Sequence, residues 1–284
     1  MRVAAYQMDV AFGQLADNLA NVTSHLCRAV AQQIDLAVFP ECTLSGYCYE
    51  SREEAMSAAV ELSGAEVGEL ISAARSSQLH AVVGLLERDG SGLYNSQVLI
   101  GPGGLIGSYR KIHLPALGVD RFVDRGNRPP EVYCAGGAKI GLAICYDSSF
   151  PEQSRVMALQ GAEIIALSTN WPAAAHRVAR HVPPCRSLEN HLFFIAANRV
   201  GEERGFRFCG LSSIYGPDAI EYARASGDEE TVLIADIDPA QARNKRIERT
   251  PGKHVVDLFA DRRPEFYGRI VAIATQNDDS KKLP

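Results

Sequence analysis

Apolar and polar positions change period several times along the chain, and each change marks an element. Val3–Met8 is a short apolar run that reads as a strand. Leu15, Leu19, Val22, Leu26 and Val30 then recur at helical spacing, which predicts an amphipathic helix over residues 15–33. Leu36–Phe39 is a second strand and runs straight into Pro40 and Glu41. Ala65–Gln78 returns to helical spacing, and His80–Leu86 and Leu93–Ile100 read as strands ahead of the GPGG turn at 101–104. Lys139–Cys145 is almost wholly apolar, the pattern of a strand buried on both faces. A helix is predicted from Pro151 to Gln160, and strands at Ile164–Leu167, Leu192–Ala197 and Thr231–Ile237. Strands alternate with helices early and become denser later, which predicts an α/β layered domain with helices covering sheet faces. No repeat or linker divides the chain, so residues 1–275 are expected to form one domain and the polar end, 276–284, to fray.

Composition narrows the classes. The 284 residues are 46 % apolar and 22 % charged, enough to bury a core without disulfide or metal staples. A net charge of −5 without runs of like charge argues against nucleic acid or an anionic membrane as partner. The N-terminus lacks a signal-type apolar stretch, and no segment reaches the roughly 18 apolar residues of a membrane span, so a cytoplasmic protein is expected. Seven cysteines form an odd set with no CxxC pair, and neither they nor the seven histidines have metal-ligand spacing. Free thiols and no metal are expected.

Three segments could carry chemistry. In KIGLAICYDSSFPE, residues 139–152, a buried strand ends at Cys145 and a helix starts near Pro151. A thiol at such a turn lies close to backbone N–H groups that can stabilise a thiolate or an oxyanion, so Cys145 is expected to alkylate ahead of the other thiols. In LAVFPECTLSGY, residues 36–47, Glu41 directly follows an apolar strand and a proline. If partly desolvated, its pKa rises to suit a general base. In GSYRKIHLP, residues 107–115, Lys111 follows a strand-like stretch, and a fixed ammonium there can stabilise an oxyanion. Each segment alone also fits a structural role: a core thiol, a strand-end carboxylate paired with a base, and a surface lysine.

Together they resemble the nitrilase superfamily of carbon–nitrogen hydrolases, whose Glu, Lys and Cys motifs stand here, in order, as FPE (Glu41), YRKIHLP (Lys111) and GLAICYDSSFPE (Cys145). AAYQMDVAFGQLADNLA, QGAEIIALSTNWP, RSLENHLFFIAANRVG, CGLSSIYGP and DRRPEFY resemble its other landmarks, so the likeness runs through most of the chain. The resemblance implies a four-layer αββα sandwich, a homodimer or larger homo-oligomer, and no cofactor. It implies a Glu41–Lys111–Cys145 triad, support from Asp120 and the backbone N–H of Tyr146, and a substrate pocket with Tyr47, Asn170 and Trp171.

Departures from the family pattern matter too. The loop ALGVDRFVDRG is shorter than in many relatives and has Asp120 nearest the place of a further Glu. Arg125 stands where a proline usually precedes Gly126. Pro183–Pro184 interrupts a segment that is helical in relatives, so the helix is expected to begin near Pro184, after a less regular pocket rim at 173–183. Cys-Tyr-Asp at 145–147 looks more like the amidase and carbamoylase branches than the Cys-Trp-Glu of nitrilases. Hydrolysis of a small amide to carboxylate and ammonia is therefore expected, with N-carbamoyl hydrolysis as the alternative. Acyl transfer and a non-catalytic binding scaffold are the readings from other classes. His176, Arg177, Arg180 and His181 could form a cationic rim for a substrate carboxylate, or a solvated helix face.

Overall fold

The computed structural model describes residues 1–272. Residues Met1–Asn244 form one compact unit and those from Lys245 onward a second; the expected frayed tail at 276–284 lies outside the described residues.

Two six-stranded sheets build the first unit. Sheet I comprises β1 (Arg2–Gln7), β2 (Leu36–Val38), β3 (His80–Asp89), β4 (Gly92–Gly101), β5 (Gly104–Arg110) and β14 (Thr231–Asp236), in the order β14-β1-β2-β3-β4-β5. Sheet II comprises β6 (Val132–Ala135), β7 (Ala138–Ile144), β8 (Ile164–Thr169), β9 (Phe193–Asn198), β12 (Ser213–Tyr215) and β13 (Glu221–Arg224), in the order β13-β12-β9-β8-β7-β6. In each sheet three neighbouring strands are parallel, β1-β2-β3 and β7-β8-β9, and the flanking pairs are antiparallel. A short β10–β11 pair (Glu202–Glu203 and Phe206–Arg207) follows β9.

Strand side chains alternate between two buried faces. Ala4, Tyr6, Ala37, Phe39, Ala81, Val83 and Leu85 join one cluster with Leu19, Val22 and Leu26 of α1 (Leu15–Ala29) and Val67, Leu70 and Ala74 of α3 (Ala65–Ser77). The opposite face of sheet I meets sheet II, where β2 and β3 pack on β8 and β4 on β7. Helices α4 (Pro151–Leu159) and α5 (His176–Asn190) pack together, and α5 lies against β9 and β12. The result is the αββα sandwich. Polar side chains also cross between the sheets: Gln97 Nε2 donates to Ser168 Oγ at 2.7 Å, and Ser168 Oγ donates to Phe39 O at 2.7 Å. The Gln97 amide nitrogen and the Ser168 hydroxyl are each paired, which offsets the cost of burying them.

Most element positions match the sequence reading within two or three residues; α2 (Arg52–Ser57), β6, the short strands β10–β13 and a hairpin beyond Asn244 are additional. One expectation is corrected. The helix does not wait for Pro184 but runs continuously from His176 through Pro183 and Pro184 to Asn190. The prolines remove two N–H donors from its interior, but tertiary contacts hold its C-terminal half. Arg186 Nε donates to Ser148 O at 2.9 Å, Ser187 Oγ donates to Gly216 O, and Pro183 is itself buried.

The second unit contributes an antiparallel hairpin, β15 (Arg246–Thr250) with β16 (His254–Asp257), followed by short 3₁₀ turns. No helix among the described residues is long and apolar enough to cross a membrane.

Candidate active site

Backbone geometry brings Glu41 to the site. Past β2, Phe39 N–H still donates to Val82 O, and Thr43 N–H donates to Gly84 O, both at 2.9 Å. The chain from Pro40 to Cys42 thus crosses directly over β3. Only glycine fits beneath it, because a Cβ on Gly84 would lie 2.4 Å from Pro40 O and 2.7 Å from Glu41 Cα. From sheet II, Asn170 Nδ2 donates to the Glu41 carbonyl at 2.9 Å.

Lys111 follows β5, with its N–H on Asn95 O at 2.9 Å. Alternation sends consecutive side chains opposite ways. Arg110 pairs with Glu87 and Asp89, while Lys111 turns into the site. Gly126 N–H donates to Lys111 O at 2.8 Å, and a Cβ on Gly126 would lie 2.2 Å from Arg110 O, so that close approach also requires glycine.

These segments meet in a fully buried polar cluster. Lys111 Nζ lies 2.7 Å from Glu41 Oε1 and 2.5 Å from Asp120 Oδ2. Asn95 Nδ2 donates to both carboxylates, at 2.7 Å to Glu41 Oε1 and 2.9 Å to Asp120 Oδ1. Tyr47 OH donates to Asp120 Oδ2 at 2.7 Å. Burial raises the Glu41 carboxyl above its ordinary value; Lys111 opposes this and Asp120 reinforces it. Burial alone would lower Lys111, but Asp120 and Glu41 hold it well above the usual lysine range and so keep it charged. Glu41 Oε2, in contrast to Oε1, has no hydrogen-bond partner among the described residues. A buried carboxylate oxygen left open is costly unless something arrives to use it.

Cys145 opens the 3₁₀ turn Cys145–Ser149 directly after β7 and is 7 % exposed. Its φ of 42° is rare for a residue with a side chain and marks a locally strained turn. Burial pushes its thiol up and the Glu41 carboxylate adds to this, while Lys111, Thr169 and the Asn170 N–H offset part of it. Desolvation and the Glu41 carboxylate thus favour the protonated form of the sulfur. Nearby backbone dipoles do not outweigh desolvation and the facing carboxylate.

The structure thus joins Glu41, Lys111 and Asp120 directly and sets Cys145 within electrostatic reach of the first two. Tyr47, expected beside the substrate, is 1 % exposed, and its hydroxyl is engaged by Asp120. Asn170 spans from sheet II to Glu41. Trp171 is buried, with its backbone N–H donating to Asn198 Oδ1 at 2.8 Å. Tyr146 is the exposed member, its ring edge-on to Phe150. His176, Arg177, Arg180 and His181 are exposed along α5. Sequence reasoning missed Asn95. Its signal was present: Asn95, Ser96 and Gln97 are three consecutive polar residues inside a strand, and all are buried. Chemically, the cluster offers a thiol, a facing carboxylate with an open oxygen, and a fixed cation.

A layered fold carrying this set defines a cysteine hydrolase class, and comparison with known proteins places it. The carbon-nitrogen hydrolase family profile matches residues 2–247. A nitrilase of Pyrococcus abyssi is 38 % identical over 270 residues, covering 95 % of this chain and all of the relative. An (R)-stereoselective amidase of a Pseudomonas species is 33 % identical, covering 85 % of this chain and 87 % of its own. The amidase of Nesterenkonia AN1 superposes with a TM-score of 0.79 at 25 % identity, covering 95 % of this chain and 97 % of that one. A variant of that amidase carries the acetamide moiety of fluoroacetamide covalently on its active-site cysteine. The chain belongs to the carbon–nitrogen hydrolases of the nitrilase superfamily, enzymes that act on carbon–nitrogen bonds other than peptide bonds.

Proposed function

We propose that this enzyme hydrolyses a small amide to its carboxylate and ammonia through a thioester on Cys145. The observation that carries the reading is the split character of Glu41: one oxygen is fixed by Lys111 and Asn95, and the other is buried and open. Oε2 takes the thiol proton as sulfur attacks the carbonyl carbon. The Lys111 ammonium and the Tyr146 N–H, in the first turn of the 3₁₀ segment, stabilise the tetrahedral oxyanion. When the C–N bond breaks, Glu41 returns its proton to the departing nitrogen, which leaves as ammonia. Water then attacks the thioester, giving its proton to Glu41, and the C–S bond breaks. Glu41 passes that proton back to sulfur, restoring the thiol and releasing the acid. Two easier substitutions replace one difficult one. Asp120 balances the charge of Lys111, so that Glu41 keeps its basicity. Asn170, which holds the Glu41 carbonyl, and the adjacent Trp171 are assigned to the substrate side, and Tyr47 holds Asp120. The covalent adduct on the Nesterenkonia enzyme's cysteine supports the same route here.

The test is ammonia release by the purified protein across short amides, ω-amides of dicarboxylates, carbamoyl amino acids, carbamoyl amines and nitriles. Release from simple or ω-amides supports the amidase reading. Release confined to carbamoyl compounds replaces it with the alternative, and silence throughout refutes both.

The buried charges also set a pH dependence. Glu41 must be ionised to accept the thiol proton, so activity falls as pH drops through its raised value. The acid limb of kcat/KM should therefore lie above about 4.3, the ordinary glutamate value. Because the Cys145 thiol is pushed up, no alkaline turning point should fall near about 8.5, the ordinary thiol value. An acid limb at or below the ordinary carboxylate value would remove Glu41 as the base.

All seven cysteines are unpaired, which supports a reducing, cytoplasmic setting. Exposed Val156 and Leu159 on α4 and Leu188 on α5 support a homodimer or larger homo-oligomer, which light scattering on the purified protein decides.

A further inference from the structure

The buried carboxylate of Asp147 has no part in the chemistry above, yet it touches both segments that carry it. Asp147 is fully buried. Its Oδ2 accepts from Tyr109 OH at 2.9 Å and from Ile144 N–H at 3.1 Å. Its Oδ1 accepts from His113 N–H at 3.2 Å and from His113 Nδ1 at 2.8 Å. Tyr109 and His113 stand two residues before and two after Lys111, and Ile144 immediately precedes Cys145. The clamp is itself braced. Gln153 Nε2 of α4 donates to Tyr109 OH at 2.8 Å, and the His113 ring stacks on Phe150 with centroids 3.7 Å apart.

These contacts bridge two independent bodies of structure. Lys111 belongs to the end of β5 in sheet I, and Cys145 to the end of β7 in sheet II. Pairing within either sheet does not fix the distance from ammonium to sulfur. A single side chain that takes four donors from the two segments does so, and its acceptor-only carboxylate suits four donors at once. Tyr109 at the end of β5 and His113 just beyond it flank Lys111, so holding these two holds the backbone of Lys111 between them.

We propose that Asp147 is a positioning residue that sets the placement of Lys111 relative to Cys145, and through it the stabilisation of the oxyanion. The inference rests on the roles given to Lys111 and Cys145 above. Asp147→Asn keeps the size of the side chain but turns an N–H₂ group toward one set of donors. A displacement of this kind should lower kcat by about 10- to 100-fold while KM stays within about threefold, because substrate binding does not depend on the clamp.

A general loss of structure would not distinguish between backgrounds, whereas positioning acts through one partner. The deciding experiment is a double-mutant cycle of Asp147→Asn with Lys111→Met, on protein whose folded state is verified by circular dichroism. With Lys111 absent, Asp147→Asn should cost less than about threefold, since the group it places is gone. An equal fold-loss in both backgrounds, or a folded Asp147→Asn enzyme with kcat within about twofold of the parent, overturns the proposal. If Asp147→Asn does not fold, Tyr109→Phe removes one clamp contact. It should lower kcat by about three- to tenfold with the same non-additivity, and a fully additive result overturns the proposal equally. Should Lys111→Met alone leave the rate unchanged, the roles assigned to the triad fail instead, so the two failures are separable.

Discussion

Cys145→Ala is expected to reduce ammonia release to the uncatalysed background while leaving the protein folded. The reaction needs a nucleophile that forms a thioester, and alanine has none. Loss of an essential nucleophile costs on the order of 10⁴- to 10⁶-fold in turnover. Cys42 is fully buried, and desolvation together with Glu41 and Asp120 pushes its thiol well above the ordinary range, so it is no substitute. The stability effect is small by comparison. One sulfur is removed from a nearly buried position, comparable to a single methylene at about 1 kcal/mol. The tight turn that holds φ at 42° keeps its neighbours, including Ser148 Oγ on the Cys145 carbonyl at 2.7 Å. Thermal melting and a discontinuous ammonia assay on the same preparation separate the two effects. A folded Cys145→Ala protein that retains more than about 1 % of parental turnover would remove Cys145 as the nucleophile.

Lys111→Met is expected to combine a rate loss with a stability loss, for one electrostatic reason. Methionine matches the length of lysine but leaves Glu41 and Asp120 as neighbouring buried carboxylates with no cation between them. Removing an oxyanion donor costs about 100- to 1,000-fold in kcat. Glu41, no longer restrained by Lys111, is pushed further up and is protonated over more of the working range, which deepens the loss at neutral pH. Breaking a buried ion pair from one side typically destabilises by about 3–5 kcal/mol, because the partner charge is left uncompensated. The melting temperature should therefore fall, and fall less at low pH, where the carboxylates take up protons. Steady-state kinetics on folded protein checks the first part and melting across pH the second. A kcat within about tenfold of the parent would take Lys111 out of oxyanion stabilisation.

Asn95 and Asp120 show how the site differs from a list of its reactive residues. Asp120 stood in the sequence only as the nearest match to a missing glutamate in a shortened loop. In the fold it is 4 % exposed and joined to Lys111, Asn95 and Tyr47. Asn95 drew no attention in a strand of ordinary length, yet one amide nitrogen joins both carboxylates. The 173–183 segment departs from the local sequence rules for a related reason. Local proline rules argue against a helix there, and Arg186 and Ser187 hold it from the far end.

The amino-acid sequence by itself determined the succession of strands and helices, because that information is local. Leu15, Leu19, Val22 and Leu26 face one way by helical spacing, and Lys139–Cys145 is apolar enough for a two-sided strand. It also singled out Glu41, Lys111 and Cys145 as candidates, through the order of three motifs that resemble the nitrilase superfamily and not through any one segment. Only the tertiary structure decided how these groups act on one another. Glu41 lies 54 residues from Asn95 and 70 from Lys111, and their contact depends on strand order, register and the packing of two sheets. The upward push on the Cys145 thiol arises there too, because desolvation and a facing carboxylate are properties of burial and distance.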